Sequence, residues 1–129
     1  RRSPMAFGWL IKHDLNGAPL EEWMHPFLSN REIRRDTVKV LRGIRPRYTI
    51  EAAERLRSSD RPTLIAWAEE DRFFKLSFAE RLAAAIPGAR LELIPDSYTF
   101  VSEDQPERLA DAIGSFTRET KPAKKASAA

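Results

Sequence analysis

The chain has 129 residues, 42% of them hydrophobic and 32% charged, with no cysteine and a net charge of +3. That size predicts about one domain of ordinary globular composition, which excludes wholesale disorder and fibrous repeats. It also excludes a disulfide framework, a thiolate metal site and a cysteine nucleophile, and no run approaches the roughly 18 apolar residues of a membrane span.

The distribution of charge says more than its sum. Residues 31–47 carry Arg31, Arg34, Arg35, Lys39, Arg42, Arg45 and Arg47 against Glu32 and Asp36, whereas residues 60–117 are net acidic. A nucleic-acid binder concentrates basic charge on its folded face, and here the most regular part of the chain is acidic, so neither a nucleic-acid nor a membrane partner is expected. The basic helix reads as a solvated surface. The chain starts at Arg1 without a charged-then-apolar leader, which predicts a piece of a longer, cytoplasmic protein.

In chain order, residues 1–60 read as helical. Leu20, Trp23, Met24 and Phe27 predict a helix over 18–28, kinked or ended by Pro26. Ser29 and Glu32 have capping-box spacing. Behind them Ile33, Thr37, Val40, Leu41 and Ile44 recur at helical intervals, with Gly43 as a C-terminal cap. A shorter helix is predicted over Ile50–Leu56, and the texture changes near Asp60. Thr63–Trp67 then reads as a buried strand. A capping box at Ser77 and Glu80 opens a helix with Phe78, Leu82, Ala85 and Ile86 on its core stripe, stopped by Pro87-Gly88. Leu91–Ile94 is a second strand, and Pro106 starts a helix whose core face is Leu109, Ile113 and Phe116. Residues 61–119 therefore form strand, helix, strand, helix, an order that implies parallel strands with right-handed crossovers. Two such strands are few for a parallel sheet, which again predicts part of something larger. Residues 120–129 read as a disordered Lys/Ala-rich tail.

The first strand releases Glu69, Glu70 and Asp71 at its carboxyl end, where open α/β sheets bind ligands. Residue chemistry alone leaves two readings for Asp71, a functional carboxylate or a solvated turn. Trp67-Ala68-Glu69-Glu70-Asp71-Arg72-Phe73-Phe74, the helix Phe78-Ala79-Glu80-Arg81-Leu82-Ala83-Ala84-Ala85-Ile86-Pro87-Gly88-Ala89, the strand to Ile94 and Asp104-Gln105-Pro106-Glu107 together resemble the C-terminal portion of the α/β-hydrolase family. The resemblance runs from about Arg61 to Thr117, and residues 1–60 are similar to the lid that such enzymes insert before it.

The resemblance implies that Asp71 occupies the position of the triad acid, which holds a histidine base through its second ring nitrogen. Ala68 stands where glycine is commoner. In the loop Asp96-Ser97-Tyr98-Thr99-Phe100-Val101, Thr99 falls in the slot of that histidine, and a hydroxyl cannot take up a proton at neutral pH as imidazole does. No Gly-x-Ser-x-Gly nucleophile elbow occurs in the chain. The implied parent reaction is hydrolysis of an ester or related small apolar substrate, without a cofactor. The alternative is a non-catalytic relative that binds an apolar ligand or a partner chain.

His13 and His25 are the two histidines, with no metal spacing around them, so no metal site is expected. Substrate-lining candidates are Trp23, His25, Phe73, Phe74, Tyr98 and Thr99. The aromatics Phe7, Trp9, Trp23, Phe27, Tyr48, Phe73 and Phe74 suit either a pocket wall or ordinary core. The expected partners are that small apolar ligand and either the N-terminal half of the fold or a second copy paired through an exposed sheet edge.

Overall fold

The computed structural model describes residues 9–13 and 18–120. Phe7 and, from residue 121, the expected tail lie outside the described residues. The elements are α1 (Ala18–Ser29), α2 (Arg31–Gly43), α3 (Pro46–Leu56), β1 (Leu64–Ala68), α4 (Leu76–Ala85), β2 (Arg90–Ile94), α5 (Val101–Asp104) and α6 (Pro106–Glu119). The fold is α/β. The strands are parallel and in register from Leu64 beside Arg90 to Ala68 beside Ile94. A parallel pair needs a crossover, and α4 supplies it.

α4 and α6 both pack on the two strands, and the core sits between these layers. Ile65, Ala68, Ala79, Ile86, Ile94 and Ala112 are buried in it, each isoleucine contributing about 2 kcal/mol by removal from water. Two expected core residues are corrected. Phe78 is 45% and Ile113 47% exposed, while their neighbours Ala79 and Ala112 are buried. Alanine allows the helix axis to approach the strands closely, so the small residue takes the contact line and the larger neighbour is rotated off it. Phe78 instead lines an open groove with Ala53 and Leu56 of α3.

Helix ends also differ from expectation. Asn30, not Ser29, caps α2, its Oδ1 accepting from Glu32 N at 2.8 Å and Ile33 N at 3.4 Å. Ser29 is the last residue of α1 and its hydroxyl donates to the His25 carbonyl at 2.6 Å. Pro26 does not end α1, which runs on to Ser29. Gly43 is the last helical residue of α2, and the cap is Ile44 in an extended conformation. α3 opens at Pro46, earlier than expected, with the proline at the first helical position. Ser77 lies inside α4, whose cap is Lys75 without a side-chain bond. Pro87-Gly88 does turn the chain, with Gly88 at φ 68°. The short helix α5 was not signalled in the sequence.

α1 packs against α2, and neither α2 nor α3 has a buried residue. Val40, Leu41, Ile44, Tyr48 and Ile50 are all more than half exposed. No helix among the described residues is long and apolar enough to cross a membrane.

Candidate active-site loops

Asp71 follows β1 by a tight turn, its amide donating to the Ala68 carbonyl at 3.4 Å. Its Oδ1 then accepts from the amides of Phe73 at 2.8 Å and Phe74 at 2.9 Å. This is the local geometry that an aspartate imposes on the residues after it. A third bond reaches it from 28 residues away: Thr99 Oγ1 donates to Asp71 Oδ1 at 2.9 Å. Asp71 and Thr99 thus meet at the carboxyl ends of two adjacent parallel strands.

The loop after β2 is built to present Thr99. Asp96 adopts φ 57°, a left-handed conformation that aspartate tolerates better than most side chains. Ser97, fully buried, donates to the Ile94 carbonyl at 2.7 Å. Tyr98 is buried, and the Arg72 guanidinium lies 4.5 Å above its ring, an attractive arrangement. Phe73 packs edge-on against Trp9 at 5.8 Å, and Phe74 against Trp67 at 6.4 Å, with Trp67 Nε1 donating to the Phe74 carbonyl at 3.1 Å. Asp71, Phe73, Phe74, Tyr98 and Thr99 therefore share one loop cluster, joined by Trp9. Trp23 and His25 sit on α1, Trp23 42% exposed and His25 exposed as well. Phe27 is half-buried on the same helix, and Tyr48 is exposed on α3.

Two residues of this cluster, Asp104 and Lys12, had no sequence signal for a place in the site. Asp104, only 8% exposed, accepts from Lys12 N at 2.8 and 2.9 Å, His13 N at 2.8 Å and Tyr98 N at 2.8 Å. A buried carboxylate is tolerated where amides surround it, and this one joins residues 10–13 to the β2 loop. Phe100 N also donates to the Leu10 carbonyl at 2.8 Å, and Ile11 is buried. Lys12 then places its ammonium 2.6 Å from Glu70 Oε1 and 2.7 Å from Asp96 Oδ1. These carboxylates, Asp96 first, hold the ammonium charged well above the ordinary lysine range. The hydrogen bond from Lys12 in turn lowers the Asp96 carboxyl, with a smaller contribution from His13, whose Nε2 lies 3.0 Å away. No group of three metal-ligating side chains occurs among the described residues.

No protein-family model matches the chain. Over 77 residues it is 31% identical to the uncharacterized hydrolase YugF of Bacillus subtilis (strain 168), which covers 60% of this chain and 28% of that protein. A thermophilic esterase from Thermogutta terrifontis superposes with a TM-score of 0.51 and 28% identity, over 54% of this chain and 25% of that one. MGS-MChE2, an alpha/beta hydrolase enzyme from a lagoon-sediment metagenome, superposes with a TM-score of 0.59 and 21% identity. That match covers 78% of this chain and 45% of the enzyme and bears on the fold. Over the matched residues the chain has the fold of α/β-hydrolases.

Within that α/β-hydrolase fold the chain spans 28% of the length of YugF. The Asp71–Thr99 pair can hold a proton in a fixed place but cannot relay one, because threonine has no basic site that titrates near neutrality.

Proposed function

We propose that this chain contributes the acid-bearing strands and lid of an α/β-hydrolase acting on an ester or related small apolar substrate, and that alone it has no hydrolytic activity. One observation carries the reading. Asp71 accepts a hydrogen bond from position 99 at 2.9 Å, across the ends of adjacent parallel strands. A triad acid has this relation to the ring N–H of its base, holding the imidazole's tautomer and stabilising the imidazolium. The kinship with a hydrolase and an esterase supports the chemistry class. The nucleophile, the oxyanion donors and the base would come from residues outside the 129, and the cytoplasm is the expected compartment.

A second reading is favoured by Thr99 itself. Its hydroxyl occupies the acceptor that a histidine would use, which suits a relative that binds an apolar ligand or a partner chain without turning it over. Two measurements separate them. Incubation of the chain with activated short-chain acyl esters should give no turnover; turnover that is lost in Asp71→Ala would overturn the claim that the chain is inactive alone. The coding sequence upstream of Arg1 decides the rest. An in-frame Gly-x-Ser-x-Gly together with a further histidine supports the enzyme, and a start codon immediately upstream supports the binding protein.

A further inference from the structure

We propose that Lys12 is a positioning residue for the Asp71 site, its ammonium bridging the two loops that carry Asp71 and Thr99 and keeping them in hydrogen-bonding register. This inference rests on the reading of Asp71 as the triad acid. Beyond Ala68 and Ile94 the strand pairing continues for one more bond, Glu69 N to the Ile94 carbonyl at 3.1 Å. The loops that follow are joined further by side chains, Arg72 over the Tyr98 ring being one tie and an ammonium another. Lys12 Nζ supplies the second, 2.6 and 2.7 Å from the two oxygens of Glu70 and 2.7 Å from Asp96 Oδ1. Glu70 immediately precedes Asp71, and Asp96 lies three positions before Thr99, so the bridge acts next to both partners of the 2.9 Å bond.

Three observations set this lysine apart from a surface ion pair. Its backbone amide is fixed by both oxygens of the buried Asp104, so the side chain starts from a pinned point. Ile11 beside it is 3% exposed. The Lys12 side chain is itself 24% exposed, largely withdrawn from solvent. An ammonium has three donors and no acceptor, which lets one group satisfy two carboxylates that would otherwise repel and spread the loops. The same Asp104 holds Tyr98 N at 2.8 Å, so Lys12 and the β2 loop share one anchor.

The test uses the full chain with Thr99→His and reads the introduced ring by proton NMR titration. Beside the Asp71 carboxylate the ring should titrate about 1 pH unit above its ordinary value of about 6.5. Adding Lys12→Met should lower it by about that amount, and Lys12→Arg should restore it. The sign is diagnostic. Removing a nearby cation alone stabilises a protonated ring and raises its pKa, whereas separating the loops lowers it. A ring that stays put or moves up in Lys12→Met overturns the proposal. If Lys12→Met loses native amide dispersion, Lys12→Gln is read by the same sign. Asp71→Asn separates the two claims. If Asp71→Asn does not lower the ring, the triad-acid reading fails; if Asp71→Asn does and Lys12→Met does not, only the positioning role fails.

Discussion

Three hydrogen bonds converge on one oxygen of Asp71, two from the amides just after it and one from Thr99. Their energies can be separated by substitution. Thr99→Val keeps the shape and removes one donor, and urea unfolding should show a loss of about 1 kcal/mol. Asp71→Ala removes the shared acceptor and should cost about 2 kcal/mol. Asp104→Ala should cost more, about 3 kcal/mol, because three amides lose a largely buried charged acceptor. The Lys12–Asp96 contact predicts a pH window. The carboxyl of Asp96 is lowered by folding, so its contribution is present above the unfolded value of about 3.9 and fades as pH falls through the lower folded value. The ammonium of Lys12 is raised, so its contribution is complete below about 10.4 and is lost as pH rises through the folded value. Unfolding free energy in Lys12→Met should differ from that of the parent between those limits, and the difference should shrink at pH 3 and in high salt. The place of Asp71 at the carboxyl end of β1 was legible from the strand pattern, whereas its role and the pairing with position 99 were only implied by the resemblance to α/β-hydrolases. The places of Lys12 and Asp104 in the site were not legible, since their partners are 58 and 92 residues away and no local pattern encodes them.

Among the elements, the α/β portion was legible and the helix ends were less so. β1, α4, β2 and α6 each carry an apolar pattern that their neighbours complete by burial. A serine followed three residues later by glutamate describes Ser29 and Ser77 equally well, yet in neither case does it form a box. Asn30 offers the better acceptor in the first, and in the second the helix starts one residue before the serine. Asn30→Ala should cost about 1 kcal/mol. With no buried residue in α2 to compensate, the loss should appear directly as reduced helicity in far-ultraviolet circular dichroism. Gly88→Ala isolates a backbone effect. A Cβ there meets nothing within 4 Å, yet φ is 68°, so a cost of about 1 kcal/mol should come from conformation alone.

At the scale of the whole molecule, order is unevenly distributed. The strands are flanked by α4 and α6, while α2 and α3 bury nothing and expose a run of aliphatic side chains. Amide exchange should therefore be slowest in β1 and β2 and approach the unstructured rate in α2 and α3. The isolated chain should bind an apolar dye and associate as its concentration rises in sedimentation experiments. A monomer that binds no dye and protects α2 as strongly as β1 would show that these faces are covered in a way the fold does not display.

The carboxylate of Asp104 has a kinetic consequence. It joins residues 92 positions apart, so reaching Lys12 requires the intervening chain to close into one long loop. The contacts of β1, α4, β2 and α6 close much shorter ones. Loop-closure entropy grows with length, and distant pairings slow the step that forms them. The 9–13 segment should then dock after the strands and helices of residues 64–119, so that in refolding the amides of Lys12 and His13 gain protection from exchange later than those of β1 and β2.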